Sequence, residues 1–434
     1  MPETIEEERS RRVFPPHKMR PWALPRTTSA SVESLKSEVM NGDASACARF
    51  TERLGQEGTP LIEDDDDPDW KRFTFLWQGE APYGVLLQLN RLTDPLDPED
   101  TQLEQLVDTD VYTITLRLPA DWQGSYTFSV LPHPLTPTLH GRPDRQMLRT
   151  LAENAQPDSF ARLFIPSKPT IASEQLRVPD YAVARGPRAP ELQLWKHRTP
   201  AFTRLTDVTS PVNNVKLPLY AWSSPKADHR SPVVLFLDGE VWREQFPIAA
   251  EFAQRLSETA TTGIHLLFLD SQGPVQRQVD YTCTKEESGV LLERIRNSAA
   301  TIGIAHEVII TGQSLGGLFS MLCATRHHDR IRAAVAQSPS LWWPSTDSPW
   351  QCGNGWFEEQ AAQQIPGAPT WIESGALDAG IDEPARQAAA LLQTRGALLK
   401  YRRHAGGHDV VQWQAMLPDA IQETIRRTAT ARTD

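Results

Sequence analysis

The sequence has little of what would place it in a membrane, on nucleic acid or in a disulfide-stapled class. No segment reaches the roughly 18 consecutive apolar residues of a membrane-spanning helix. The opening MPETIEEERSRRVF mixes charges and carries no apolar stretch of signal-peptide length, so a cytoplasmic location is expected. Cysteine is scarce: Cys47, Cys283, Cys323 and Cys352 form no CxxC pair and no Cys/His ligand spacing. Neither a metal site nor a disulfide framework is expected, and the four read as free thiols. Basic charge is also short, with 44 Lys and Arg against 55 Asp and Glu and a net charge of −11. With no dense Lys/Arg cluster, an extended nucleic-acid footprint is excluded. There is no internal repeat.

What is present is length and proline. At 434 residues with 35 prolines, the chain exceeds the roughly 250 residues that one core supports, which points to two domains with long connections. Residues 1–30 combine charge and proline without an apolar period and read as a mobile tail. The spacing of Leu35, Val39, Ala46 and Phe50 allows one or two short helices between Ser31 and Leu54. The run Asp64-Asp65-Asp66-Asp67 reads as a solvated loop rather than a cation site.

From Trp70 to Val130 the pattern becomes short alternating segments, KRFTFLWQG, YGVLLQLN, VYTITLRLP and SYTFSVL, separated by turn residues. They predict a small antiparallel β-sandwich within residues 31–190. Its Trp70, Trp77 and Trp122 are read as core residues, with ligand binding as the alternative. A Pro-rich connection with a helical stretch at Arg145–Asn154 closes this part. Residues 191–434 then alternate strand candidates (LQLWKH, VKLPLYAWS, VVLFLDG, GIHLLFLD, EVIITGQS, IRAAVAQS, APTWIESG) with helical stretches such as PIAAEFAQRLSET, ESGVLLERIRNSAAT and ARQAAALLQTRG. Strands apolar on both faces and followed by helices define an α/β class with a mostly parallel sheet.

The chemistry centres on Gly312-Gln313-Ser314-Leu315-Gly316, which follows Val308-Ile309-Ile310 and precedes the helix-capable GLFSMLCA. Strand, GxSxG and helix make a nucleophile elbow, the mark of an α/β-hydrolase, with Ser314 as nucleophile. Glycine is expected at 312 and 316 because side chains there would meet neighbouring elements. A serine hydroxyl needs a base. His408, in Gly406-Gly407-His408-Asp409 after the strand-like Leu398–Arg402, is the first choice and His404 the second, while His327 and His328 read as surface residues. The acid should follow a strand between serine and histidine. WIESGALDAGIDEP offers Glu373, Asp378, Asp382 and Glu383, and Asp378 is preferred for its distance from the strand end. Oxyanion donors should be the N–H of Leu315 and one from Gly239 or Glu240. Trp242, Trp342 and Trp343 fall in loops after strands and could line either pocket or core.

These motifs, with Leu237-Asp238-Gly239, Gln337-Ser338-Pro339-Ser340 running into Trp342-Trp343-Pro344, and Trp413 behind GGHD, resemble the enterochelin (enterobactin) esterase family. TDVYTITLRLPADWQGSYTF and PDRQMLRTLAENAQPDSF are similar to its N-terminal domain. The resemblance implies cytosolic hydrolysis of the serine-ester bonds of a ferric catecholate trilactone, iron entering only within the substrate and no cofactor taking part. It also implies an acid near Asp378, although some members work with serine and histidine alone. It further implies a substrate-facing arginine at Arg277 upstream of Cys283, with Thr284 where the family has asparagine and Asp280 where it has glutamate. A general carboxylesterase for acyl or feruloyl esters, and a non-catalytic ligand-binding protein, are the alternatives.

Overall fold

The computed structural model describes residues 23–430 except 91, 94–98, 136–149, 152–153, 166–179, 193–199, 247, 259–262, 305, 344–355, 363–366 and 379. Most of the expected tail, most of the Arg145–Asn154 helical stretch, Pro344, Cys352 and all of the LQLWKH strand but Leu192 lie outside the described residues.

Two helices, Ala30–Met40 and Ala46–Glu57, precede the first strands. β1 (Leu61–Asp64), β2 (Trp70–Gln78), β4 (Glu104–Gln105) and β5 (Val111–Pro119) form one antiparallel sheet in the order β1-β2-β5-β4. β3 (Val85–Leu89), β6 (Gln123–Val130), β8 (Phe164–Ile165) and β9 (Tyr181–Arg185) form the second, with β7 (Ala155–Gln156) paired to β6. Because side chains alternate across a strand, Tyr112, Ile114, Leu116 and Leu118 of β5 turn one way, into a shared core with Phe73, Phe75, Tyr126, Phe128 and Trp122. The expected sandwich is present. Its opposite side is sealed by Leu35, Phe50 and Leu54 of the two helices over Leu61, Leu76 and Val111. Trp122 is buried, packed edge-on against Phe73, which leaves it unable to meet a ligand.

The change of sheet falls between Arg185 and Thr203. β11 (Val208–Thr209) and β12 (Lys216–Leu217) make a separate two-stranded ribbon, so Pro218 splits the VKLPLYAWS segment. The main sheet has the order β10-β13-β15-β14-β16-β17-β18-β19, built from β10 (Thr203–Arg204), β13 (Leu219–Ser223), β14 (Val233–Leu237), β15 (His265–Leu269), β16 (Val308–Gln313), β17 (Ile331–Gln337), β18 (Thr370–Gly375) and β19 (Leu398–His404). β10, β13 and β15 pair antiparallel, and every pairing from β15 to β19 is parallel.

The apolar runs serve both faces of this sheet. Val233, Leu235 and Leu237 face a core shared with helices Lys285–Ala300, Leu315–Arg326 and Asp382–Thr394. Val234 and Phe236 face the other side, covered by helices Ile248–Glu258 and Val410–Thr430. This is the α/β-hydrolase architecture, with all parallel strands ending at one edge. The helix Val410–Thr430 is not evident in the sequence because Pro418 lies inside it; burial at Val411, Leu417, Ala420 and Ile421 holds it to the sheet. The described cysteines, Cys47, Cys283 and Cys323, are free.

Candidate active site

Ser314 stands between β16 and its helix with φ 57° and ψ −119°, a left-handed backbone that costs a serine roughly 1–3 kcal/mol and must be held by its surroundings. Its N–H donates to Gln337 O at 3.0 Å, and its carbonyl accepts from Ser340 N at 2.9 Å. Asp238 and Ser338, at the ends of the flanking strands β14 and β17, also have positive φ, so three adjacent strand ends are bent toward one place. A Cβ at Gly312 would lie 2.5 Å from the Gly316 carbonyl, which makes glycine obligatory there. At Gly316 the nearest atom would be Asp238 Oδ2 at 3.4 Å, an ordinary contact; the second tight position is instead Gly317, 3.1 Å from Gln337 O.

The candidate base and acid follow the next strand ends. Asp378 follows β18 and is buried; His408 follows β19, and its Nδ1 lies 2.7 Å from Asp378 Oδ2. A carboxylate only accepts, so Nδ1 donates and Nε2 carries the lone pair that can accept a proton. The two loops touch where a Cβ on Gly375 would come within 2.3 Å of Gly406 O. The rings of His408 and Trp413 meet edge to face at 4.8 Å and 83°, and Trp413 Nε1 donates to Ser338 Oγ at 3.0 Å. From Ser338 the chain continues to Ser340, whose Oγ is 3.1 Å from Ser314 Oγ. Ser314, His408 and Asp378 thus share the carboxyl edge of four neighbouring strands.

The competing candidates have other partners. His404 is buried, its Nδ1 accepts from Gly406 N at 3.2 Å, and burial pushes its pKa down to about 4. It shapes the loop that carries His408. Glu373 is held by Gln337, Trp371 and Arg402, Asp382 by Arg403 and Ser374, and Glu383 by surface Arg386. His327 is not a surface residue as the sequence suggests: it is buried beside Ser288 Oγ at 2.9 Å, and desolvation pushes it down to about 4. His328 is exposed.

Around the elbow the assignments divide. Leu315 opens the helix, where an N–H has no acceptor within the helix. Gly239 and Glu240 follow β14, the strand beside β16. A Cβ at Gly239 would lie 2.7 Å from the Leu269 nitrogen, and the Glu240 carboxylate turns inward to Ser271 N at 2.9 Å and to the Ser271 hydroxyl. Burial and the neighbouring Asp238 both push Glu240 up. Asp270, against Arg243 at 2.9 Å, is pushed up to about 7, mainly by burial. Acidic groups therefore gather behind this loop.

Arg277 is not an unpaired pocket cation. Its Nε meets Asp238 Oδ1 at 2.7 Å, its Nη2 meets Asp238 Oδ2 at 2.8 Å, and Nη2 also donates to the Gln313 carbonyl at 2.9 Å. The positions that depart from the family pattern are likewise occupied within the protein. Asp280 binds Ser210 and Gln276, and Thr284 caps helix Lys285–Ala300 in a capping box with Glu287. Cys283 is buried, its thiol pushed up to about 12.

Trp242 belongs to the core rather than the pocket: it is 1% exposed, packs against Phe236 and Phe246, and donates from Nε1 to Gln313 Oε1 at 3.0 Å. Trp342 is buried, while Trp343 is half-buried, its backbone N–H donating to Ser340 O at 3.1 Å. Sequence reasoning missed the layer beneath. Gln313, Gln337, Glu373 and Arg402 occupy matching register on β16 to β19, linked by Gln313 Nε2 to Gln337 Oε1 at 3.0 Å and Gln337 Nε2 to Glu373 Oε2 at 2.8 Å, with Arg402 on Glu373. The available signal was a polar residue at or near the end of each strand's apolar run.

An elbow serine, a histidine and a buried aspartate at the carboxyl edge of a mostly parallel sheet define a serine hydrolase of the α/β-hydrolase class. Residues 211–424 match a family described as putative esterase, and residues 72–195 match one described as enterochelin esterase, N-terminal. The chain thus joins an enterochelin esterase N-terminal domain to an esterase domain, and it is an esterase. An iron(III) salmochelin esterase of Escherichia coli O6:H1 is 25% identical over 414 residues, covering 90% of this chain and 97% of that one. An iron(III) enterobactin esterase of Dickeya dadantii is 26% identical, covering 86% and 91%. The crystal structure of a ferric enterobactin esterase from Salmonella typhimurium superposes with a TM-score of 0.73 at 19% identity, covering 87% of this chain and 99% of that one.

Proposed function

We propose that this esterase hydrolyses the serine-ester bonds of a ferric catecholate siderophore trilactone through an acyl-enzyme on Ser314, with iron arriving only as part of the substrate. The observation that carries the chemistry is the 2.7 Å contact of His408 Nδ1 with buried Asp378 at the edge that holds the elbow. The naming of the similar proteins, over nearly their full length, carries the substrate.

In this reading Asp378 holds His408 in the tautomer whose Nε2 accepts the Ser314 proton. Ser314 Oγ leaves Ser340 and attacks the ester carbonyl. The oxyanion is met by the N–H of Leu315 and one from Gly239 or Glu240, donors of a kind worth about 10²–10³ in rate each. His408 returns the proton to the departing hydroxyl, and water, activated by the same imidazole, frees the acyl group. Trp343 supplies apolar surface beside Ser314. No cofactor takes part, and the enzyme works in the cytoplasm; among the described residues no helix is long and apolar enough to cross a membrane.

One observation favours a second reading. Arg277 is paired with Asp238, and Glu240 and Asp270 lie close by, so this side of the pocket suits a less anionic acyl group such as a feruloyl ester. Purified protein incubated with the iron-loaded trilactone, with chromatography of the linear products, separates the two. Conversion to linear trimer and smaller catecholates supports the proposal. An intact trilactone alongside rapid cleavage of a feruloyl ester overturns it.

A further inference from the structure

The sandwich touches the main sheet's active edge beside the catalytic histidine. Asp409, the residue after His408, is 1% exposed, and its Oδ2 accepts from both the N–H (2.7 Å) and the hydroxyl (2.9 Å) of Ser125 on β6. Its Oδ1 accepts from Val411 N at 2.9 Å, so the same carboxylate caps the helix Val410–Thr430. Asn90, just beyond β3, donates from Nδ2 to the carbonyl of His408 at 2.8 Å and is itself tied to β6 through its N–H on Ser125 O at 3.1 Å. Gly124, beside Ser125, makes room for Trp122 rather than for Asp409: a Cβ there would lie 2.8 Å from Trp122 Cζ2 but only in ordinary contact, at 3.5 Å, with Asp409 Oδ2. Leu377, before Asp378, and Ala405, three residues before His408, pack against the sandwich core. Both loops that carry the acid–base pair are therefore seated on the sandwich.

We propose that the N-terminal sandwich is a positioning element of the esterase site, with Asn90 and Ser125 as positioning residues that fix the His408 loop through its carbonyl and through Asp409. The inference rests on His408 acting as the base for Ser314. General-base transfer requires the imidazole within hydrogen-bond reach of the serine, and a misplacement of about 1 Å costs on the order of 10²-fold in rate. The groups that face the Asp409 carboxylate in these bonds are all donors, so the carboxylate accepts throughout, and His408 O accepts from the Asn90 amide. A sandwich that served only as a ligand module would have no need to grip these atoms.

The test uses the full chain, a simple aryl ester and a fluorophosphonate probe, which makes it independent of the siderophore assignment. Asn90→Asp keeps shape and replaces the donor with an acceptor; Ser125→Ala removes the hydroxyl alone. Thr74→Val breaks a buried hydroxyl pair with Thr115 elsewhere in the sandwich and serves as the control for loss of stability. The expected result is a kcat about tenfold lower in Asn90→Asp and in Ser125→Ala, with KM within about twofold. Fluorophosphonate labelling should slow by the same factor, while Thr74→Val keeps its kcat even where its melting temperature falls. A wild-type chain that labels, with both variants within about twofold of it in kcat and labelling rate, overturns the inference alone. A wild-type chain that does not label at Ser314 overturns the catalytic reading and the inference with it.

Discussion

Arg277 grips both carboxylate oxygens of Asp238 and, with the same Nη2, the carbonyl of Gln313, the residue immediately before Ser314. The pair ties the end of β14 and the helix Pro274–Tyr281 to the elbow, and the N–H of Asp238 is itself held by the Tyr281 hydroxyl at 3.0 Å. A charge that the sequence suggests for the substrate is engaged within the protein.

Removing one partner should therefore cost more than removing both. Arg277→Gln leaves a buried carboxylate without its cation and should lower stability by about 2–4 kcal/mol, given that breaking a buried pair costs roughly 3–5. Asp238→Asn together with Arg277→Gln should recover at least half of that loss in urea unfolding. Equal losses in the single and double variants would show that the ion pair is not what braces the elbow.

The buried row beneath the site gives a second expectation. Gln337 bonds Gln313 and Glu373 and reaches Trp413 O at 3.1 Å. Gln337→Leu should cost on the order of 2–4 kcal/mol, because it strands buried polar groups on both neighbouring strands. A melting temperature within about 1–2 °C of wild type, where about 1 kcal/mol corresponds to roughly 2–4 °C in chains of some 150–250 residues, would contradict it.

Stability should also depend on pH through His404. An unfolded histidine takes its proton near 6.5, whereas burial holds His404 neutral down to about 4. Between those values the unfolded chain binds the extra proton, so stability is full above about 6.5 and declines as pH falls toward 4. The loss from His404 amounts to about 3 kcal/mol at roughly 1.4 per pH unit. His327, also pushed down to about 4 by burial, acts in the same direction. Urea midpoints at several pH values should fall less steeply for His404→Gln; an unchanged slope would remove His404 from the explanation.

The two glycines of the elbow should differ. Gly312→Ala places a Cβ 2.5 Å from backbone and should abolish soluble, active protein, whereas Gly316→Ala, with 3.4 Å to its nearest atom, should fold and retain activity within about tenfold. Comparable behaviour of both variants, read from soluble yield and aryl-ester turnover, would contradict the packing described.

The α/β-hydrolase fold was legible because each parallel strand is an apolar run wide enough to serve two faces, as in Val233–Leu237, and because GQSLG sits at a strand-to-helix junction. Strand, loop and glycine positions were enough to place the candidates Ser314, Asp378 and His408 after successive strand ends, where the structure has them. Burial and pairing could not. Trp242 looks like a loop residue in sequence and is fixed in the core by Gln313, and His327 looks exposed after its helix yet lies beside Ser288. The contact of Ser125 with Asp409 joins residues 284 positions apart, which no local pattern encodes. The helix Val410–Thr430 was obscured by Pro418, and its stability comes from the sheet it covers.

Whether Ser314 is the nucleophile is decided by the rate of linear-product formation from the iron-loaded trilactone by Ser314→Ala beside the wild-type chain. Ser314→Ala should lose more than about 10³-fold, of the size found when a catalytic serine is removed, while remaining folded. Turnover by Ser314→Ala at more than a few per cent of the wild-type rate would contradict it.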